Sequence, residues 1–267
     1  TTWYNDFYNS LQYGDDPDAI TQGLRQSAQW WEALLAATGG ALELPKCFYY
    51  IIQFKFTSEG KPYLASPEDG INPSIQIKDH TTGNASHITQ QPCSHPHKTL
   101  GVMQSPDLSP TGEFHRLKKK ALHIAKRLLP ARLTAHETWV YIESCYRPAM
   151  SWSAPVANLR QTQWNQIQAP VIRLFLNNLG YPASFPKAVA FAPIRCGGVG
   201  LPHGHTTQGA MHVEHLLYHL RSRNSVNRLL RVTLEWAQRY AGYSQSILES
   251  PDLPMNHVPI PWVQVTM

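Results

Sequence analysis

The sequence predicts a helix-dominated α+β fold, with a small antiparallel sheet confined to residues 40–105 and helices after it. Three observations carry that expectation. Residues 20–38 space apolar side chains for one helix face and run into a glycine pair. The stretch Cys47-Phe-Tyr-Tyr-Ile-Ile-Gln-Phe-Lys-Phe56 is dense in aromatic and β-branched residues, the composition of a strand. From residue 113 onward apolar positions recur at three and four, with capping residues and glycines between successive stretches.

In chain order, the first helix starts near Pro17, because Asp15, Asp16 and Asp18 suit the free N–H groups and positive dipole of a helix start. Ile20, Leu24, Ser27, Trp31 and Leu34 form its expected buried stripe, with Gln22, Arg25, Gln29 and Glu32 facing water. Gly39 and Gly40 end it. The aromatic strand 47–56 turns at Thr57-Ser-Glu-Gly60 and returns through 62–65. Residues 66–92 are polar and interrupted by Pro and Gly, with one short strand expected at 75–77, and read as an insertion.

Phe114, Leu117, Ala121, Ile124 and Leu128 give the helix 113–129 an apolar stripe, and basic residues cover much of the rest. Thr134-Ala-His-Glu137 is a capping box, so a helix begins there; Trp139, Val140, Ile142 and Tyr146 turn inward and Pro148 stops it. A long helix over 162–179 contains Pro170, buries Ile167, Val171, Leu174 and Phe175, and ends at Gly180. Residues 189–191 read as extended, and Gly197-Gly-Val-Gly200 as a turn rather than a phosphate loop, since Leu201-Pro202 follows it. Two further helices, 206–222 and 224–242, precede a Pro-rich tail.

Composition bounds the function. The 267 residues can build a substantial core, and no run of eighteen apolar residues suggests a membrane span. Cys47, Cys93, Cys145 and Cys196 are far apart with no C-x-x-C, which suits buried thiols in a reducing compartment; the expected location is intracellular, not secreted. Residues 1–97 carry five Lys/Arg against ten Asp/Glu, net −5, whereas 98–239 carry eighteen against six, net +12. That asymmetry points to a polyanion partner for the middle and later chain. Cys93, His95 and His97 alternate as C-x-H-x-H, but lack the second paired cluster of a structural zinc site, and no metal is assigned. His212, His215 and His219 fit neither H-E-x-x-H nor H-x-x-E-H.

Tyr13-Gly14-Asp15-Asp16 has two readings. Polymerases use paired carboxylates in such a turn to hold two Mg²⁺ ions, but that turn sits between apolar strands. Here Asn9-Ser-Leu-Gln12 precedes and Pro17 follows, as at a helix start. The helix 113–129 offers Arg116, Lys118, Lys119, Lys120, Lys126 and Arg127, which can track a phosphate backbone. If about six cations neutralise phosphates, affinity falls roughly 10³-fold between about 50 and 200 mM salt. The bland alternative is a solvated amphipathic face.

An ordered set of motifs carries a family resemblance. QWWEALLAATGGALELPKCFYY resembles the segment after the catalytic carboxylates in the palm of LINE-like (non-LTR) retroelement reverse transcriptases. His97-Lys-Thr-Leu-Gly-Val102 resembles that family's primer-grip turn, and LKKKALHIAKRLL, YIESCYRPAMSWS, FPKAVAFAP and CGGVGLP follow in the family's order. The resemblance implies the end of the palm over 1–104, thumb-like helices over 105–155 and a helical extension over 156–267. It implies RNA or DNA primer–template as partner, gripped also by Lys98 and Gly101, and Lys46 near an incoming nucleotide. It also implies that the catalytic aspartates and their Mg²⁺ belong to the upstream part of the same polyprotein. On that view Asp15 and Asp16 are not catalytic, and this chain alone binds no cofactor.

Overall fold

In the computed structural model, residues 14, 16–40, 42, 43, 46–70, 73–80, 82–182, 184–249 and 258 are described. The chain divides into two units, Thr1–Ser109 and Pro110–Met267. The helix-dominated α+β class holds: every described strand lies between residues 48 and 104, and after them the described regular elements are helices.

In the first unit, α1 (Pro17–Ala37) begins where the aspartates place it. Asp16 is the N-cap, its carboxylate accepting from Asp18 N at 3.0 Å, and Pro17 fills the first turn. The strands are β1 (Phe48–Tyr49), β2 (Phe54–Phe56), β3 (Pro62–Leu64), β4 (Ile75–Lys78), β5 (Ala85–Gln90), β6 (His97–Thr99) and β7 (Val102–Gln104). They form a three-stranded sheet in the order β1-β5-β4 and two hairpins, β2-β3 and β6-β7. All pairings are antiparallel except β1 with β5.

Three expectations for this unit need correction. The run 47–56 is not one strand. Residues 50–53 leave the β1–β5 ladder and cross to the β2–β3 hairpin, held by Ala65 N donating to Gln53 O at 2.9 Å and the Cys93 thiol donating to Ile51 O at 3.2 Å. The supposed insertion 66–92 supplies β5, the central strand of the sheet, with Ile75 and Ile77 of β4 each 1% exposed.

The third correction concerns α1, which turns part of its polar side inward. Glu32 is buried, Leu34 is exposed, and Arg25, Gln29 and Glu32 meet β4 and the residues just before and after it. The reason is the edge of β4, whose backbone groups would otherwise lack a neighbouring strand. Gln29 supplies one in miniature: its amide nitrogen donates to Lys78 O and its amide oxygen accepts from Lys78 N, both at 2.8 Å. Arg25 donates to Ser74 O at 3.0 Å, and Glu32 accepts from His80 N at 3.1 Å and pairs with the His80 ring.

The second unit contains α2 (Thr111–Leu128), α3 (Ala135–Tyr141), α4 (Arg147–Ser151), α5 (Gln161–Asn178), α6 (Lys187–Phe191), α7 (Gly204–Arg221) and α8 (Ser225–Ala241). α2 packs along α5. Leu117, Ala121, Ile124 and Leu128 of α2 meet Trp164, Ile167, Val171 and Phe175 of α5, with Ile142, Tyr146 and Met150 closing the core. Tyr146 and Phe175 meet edge to face, 5.1 Å between centroids, and burial pushes the Tyr146 hydroxyl up to about 12. Residue 155 falls inside the span of this core, which takes side chains from both sides of it. A second cluster joins Leu216 of α7, Leu234 and Ala237 of α8, Ile247 and Val258.

The capping box forms as read, Thr134 Oγ1 accepting from Glu137 N and the Glu137 carboxylate accepting from Thr134 N. Pro148, however, does not stop the helix. The chain passes through a π-helical turn, Ile142–Tyr146, directly into α4. The wider turn, with Arg147 N bonded to Ile142 O, removes the clash that a proline ring would make in an ordinary helix interior. Val140, expected inside, is 53% exposed. Residues 187–191 are helical rather than extended; a short apolar run cannot by itself distinguish the two. Here Val199 N and Leu201 N bond to Val189 O and Ala190 O, so the glycine turn folds back on α6. Among the described residues no helix is long and apolar enough to cross a membrane.

Candidate nucleic-acid interface

The strongest concentration of cationic side chains lies on α2, and the fold sorts them into two groups. Arg116 and Lys120 sit on the flank beside the core and are committed there. The Arg116 guanidinium meets Glu113, its Nε 2.7 Å from Oε2, and Glu113 is only 2% exposed. Lys120 Nζ donates to Ala149 O at 2.9 Å. Lys120 thereby ties α2 to α4, whereas Arg116 is paired within α2 itself.

Lys119, Lys126 and Arg127 are exposed, and Lys118 is half-buried with its ammonium over the Phe114 ring, 5.4 Å from the centroid. At 100° per residue, His115, Lys118, Lys119, Leu122, His123 and Lys126 fall on one side of the helix, and together they line a shallow depression. Glu113, the one carboxylate of α2, is buried away from that side. The face is thus cationic without an acidic counterweight of its own. His115 and His123 escaped the sequence reading, although their spacing of four about Lys119 places all three in one row.

Lys98 and Gly101 lie on the β6–β7 hairpin, where Thr99 pairs with Val102 and only Leu100 and Gly101 remain in the loop. Both have positive φ, 50° and 87°, the mirror-image turn that suits the twist of a two-residue hairpin. Glycine takes that conformation freely; Leu100, a side chain with a Cβ, does not, and it stands 69% exposed at the tip. Lys98 is exposed on β6. Lys46, also exposed, occupies a short turn closed by its own N–H on Glu43 O at 2.9 Å.

The remaining candidates have structural employment. Asp16 caps α1, and Asp15 lies outside the described residues. In the C-x-H-x-H stretch, the buried Cys93 thiol bonds to Ile51 O, the His95 carbonyl accepts from the Tyr50 hydroxyl at 2.9 Å, and the His97 ring packs on Phe48, 4.3 Å between centroids. Burial, helped by the charge of Asp107, pushes the Cys93 thiol up, and burial pushes His97 down. Among the described residues no three His, Cys, Asp or Glu side chains converge as a metal-holding group.

A feature with no counterpart in the sequence reading lies under α7. Gln208, fully buried, accepts at Oε1 from Trp164 Nε1 at 2.9 Å and from Leu159 N at 3.1 Å, and donates through Nε2 to Leu159 O at 3.1 Å. Gln168 adds a second clasp, donating to Pro202 O at 2.7 Å and accepting from Gly204 N at 2.9 Å. These amides fix the start of α7 against α5 and the loop before it. No protein-family model matches the chain, and no curated protein matches it.

Proposed function

We propose that this chain is the C-terminal part of a retroelement RNA-directed DNA polymerase and that it binds primer–template through the exposed basic face of α2. The observation that carries the proposal is that face: Lys118, Lys119 and Lys126 on one side of a rigid helix, Arg127 beside them, and no carboxylate among them. Ammonium groups spaced along a helix match successive phosphates of one strand and gain affinity by releasing condensed counterions. With Arg116 and Lys120 committed to internal partners, about four cations remain for phosphate. A slope near −0.9 per phosphate then gives roughly a 10²-fold loss of affinity between about 50 and 200 mM salt, less steep than six cations would give.

The complete polymerase would use paired carboxylates holding Mg²⁺. The described residues of this chain do not fit that pair, since Asp16 is spent on capping α1. On this reading the resemblance, not the fold, puts the catalytic aspartates in the upstream part of the polyprotein, with Lys46 and the Lys98–Gly101 hairpin contacting substrate and not metal. Asp16's capping role equally favours the alternative, a non-catalytic helical RNA- or DNA-binding module of retroelement descent.

Two assays test these readings. Anisotropy with a labelled RNA–DNA hybrid should give binding that Lys119→Gln/Lys126→Gln weakens about tenfold at low salt, while Arg116→Gln mainly lowers stability. Equal affinity of wild type and the lysine double variant would remove α2 from the interface. Primer extension with Mg²⁺, run on this chain and on the same chain continued into its upstream coding sequence, separates polymerase from module: activity that appears only in the longer protein supports the first.

A further inference from the structure

We propose that the outward face of α8 is a contact surface for single-stranded nucleic acid, with bases stacking on Trp236 and Tyr240 and phosphates meeting the neighbouring arginines. This deepens the nucleic-acid reading and rests on it, but through a different element and different chemistry. α8 turns Leu234 and Ala237 inward, where Leu230 and Ala241 pack beside them against the α7 cluster. Leu229, Val232, Trp236 and Tyr240 fall on another side of the helix and stand 68%, 64%, 47% and 55% exposed. The Trp236 and Tyr240 rings lie nearly parallel, 26° apart with centroids at 5.1 Å.

Two stacked rings held in water leave an open π-face, on which a base can continue the stack. Such platforms bind single strands with little regard to sequence, because every base has a π-face. A duplex keeps its base faces covered and gains nothing from the pair. The charge beside the platform is of the matching sign. Arg228 and Arg239 border the aromatic stripe, and Arg221, Arg223, Arg228 and Arg231 line a depression at the α7–α8 turn. None of these five guanidinium groups has a carboxylate partner among the described residues; Arg231 Nε donates instead to Asn227 Oδ1 at 2.8 Å. Glu235 is the single carboxylate of α8. Seventeen helical residues span about 25 Å, room for roughly seven stacked nucleotides of one strand.

The test is anisotropy on the whole chain with two probes, a labelled single-stranded RNA of about ten uridines and a blunt RNA–DNA hybrid. Trp236→Ala/Tyr240→Ala should weaken the single strand about 10- to 100-fold and the hybrid less than about twofold, and Trp236→Phe/Tyr240→Phe should restore most of the loss. Arg228→Gln/Arg239→Gln, which leaves the rings in place, should lower the single-strand salt slope by about 1.4. Unchanged single-strand binding in both double variants, with Lys119→Gln/Lys126→Gln still weakening the hybrid, overturns the α8 assignment and leaves the α2 reading standing. No binding of either probe by the wild type overturns both. Capture of an acidic peptide or an anionic vesicle by the aromatic face, without single-strand binding, also overturns the assignment.

Discussion

Replacing Gln208 with leucine should destabilise the second unit severely although it removes no large side chain. The Gln208 amide satisfies three buried groups: Trp164 Nε1–H, Leu159 N–H and Leu159 C=O. Each would be left without a partner in a site that is closed to solvent, since Gln208, Trp164 and Leu159 are all 0% exposed. An orphaned buried donor or acceptor costs about 1–3 kcal/mol. Allowing for partial relaxation and the apolar gain from leucine, the net loss should be about 3–5 kcal/mol. For a unit of this size that lowers the melting temperature by roughly 6–20 °C. Urea unfolding followed by far-UV circular dichroism reads the change as a lower midpoint at constant slope. Adding Trp164→Phe to Gln208→Leu should recover about 1 kcal/mol relative to the sum of the single effects, because the orphaned indole N–H is gone. A loss below about 1 kcal/mol for Gln208→Leu would refute the reasoning, since the amide would then not be the clasp that closes α7 on α5.

Three further outcomes follow from neighbouring geometry. Gly204→Ala places a Cβ 2.2 Å from the Trp164 ring, so backbone or indole must shift, and thermal melting should show a loss of about 1–3 kcal/mol. Arg116→Gln should cost about 2 kcal/mol by removing the guanidinium that faces the buried Glu113 carboxylate, whereas Lys119→Gln should change stability by less than about 0.5 kcal/mol; comparable melting of the two variants would contradict the sorting of α2's cations. His203, His205 and His212 all titrate below 6.5, burial being the first cause in each; the Ala157 and Ala154 carbonyls oppose it at His212. The unfolded chain then binds more protons than the folded one as pH drops under 6.5, so stability is full above that value and declines below it. His212→Asn should flatten that decline in unfolding midpoints measured from pH 7.5 to 5.5.

Elements whose signals are local were legible in the sequence. The α2 stripe, the Thr134–Glu137 box and the Asp16–Pro17 start depend on spacing and on hydrogen bonds within a few residues, and each formed where it was read. What was missed depends on partners distant in the chain. Glu32 reads as a surface residue until β4, some forty-five residues on, offers an edge that needs polar partners. β5 lies in a polar stretch whose pattern is half-exposed, and only its two neighbours make it central. Gln208 carries no pattern at all, because a lone glutamine in a helix looks the same whether solvated or clasped. On α2, the sequence shows how many cations the helix carries, but it does not reveal that Arg116 and Lys120 are occupied or that His115 and His123 share the open face.

The most direct test of the central claim is the salt dependence of binding to a labelled RNA–DNA hybrid, measured for the wild type and for Lys119→Gln/Lys126→Gln. Four phosphate contacts from α2 predict a wild-type slope of log K on log salt near about −3.6, and loss of two cations a slope near about −1.8. A flat line for the wild type, or parallel lines of equal affinity for the two proteins, would contradict the assignment of α2 as the surface that holds nucleic acid.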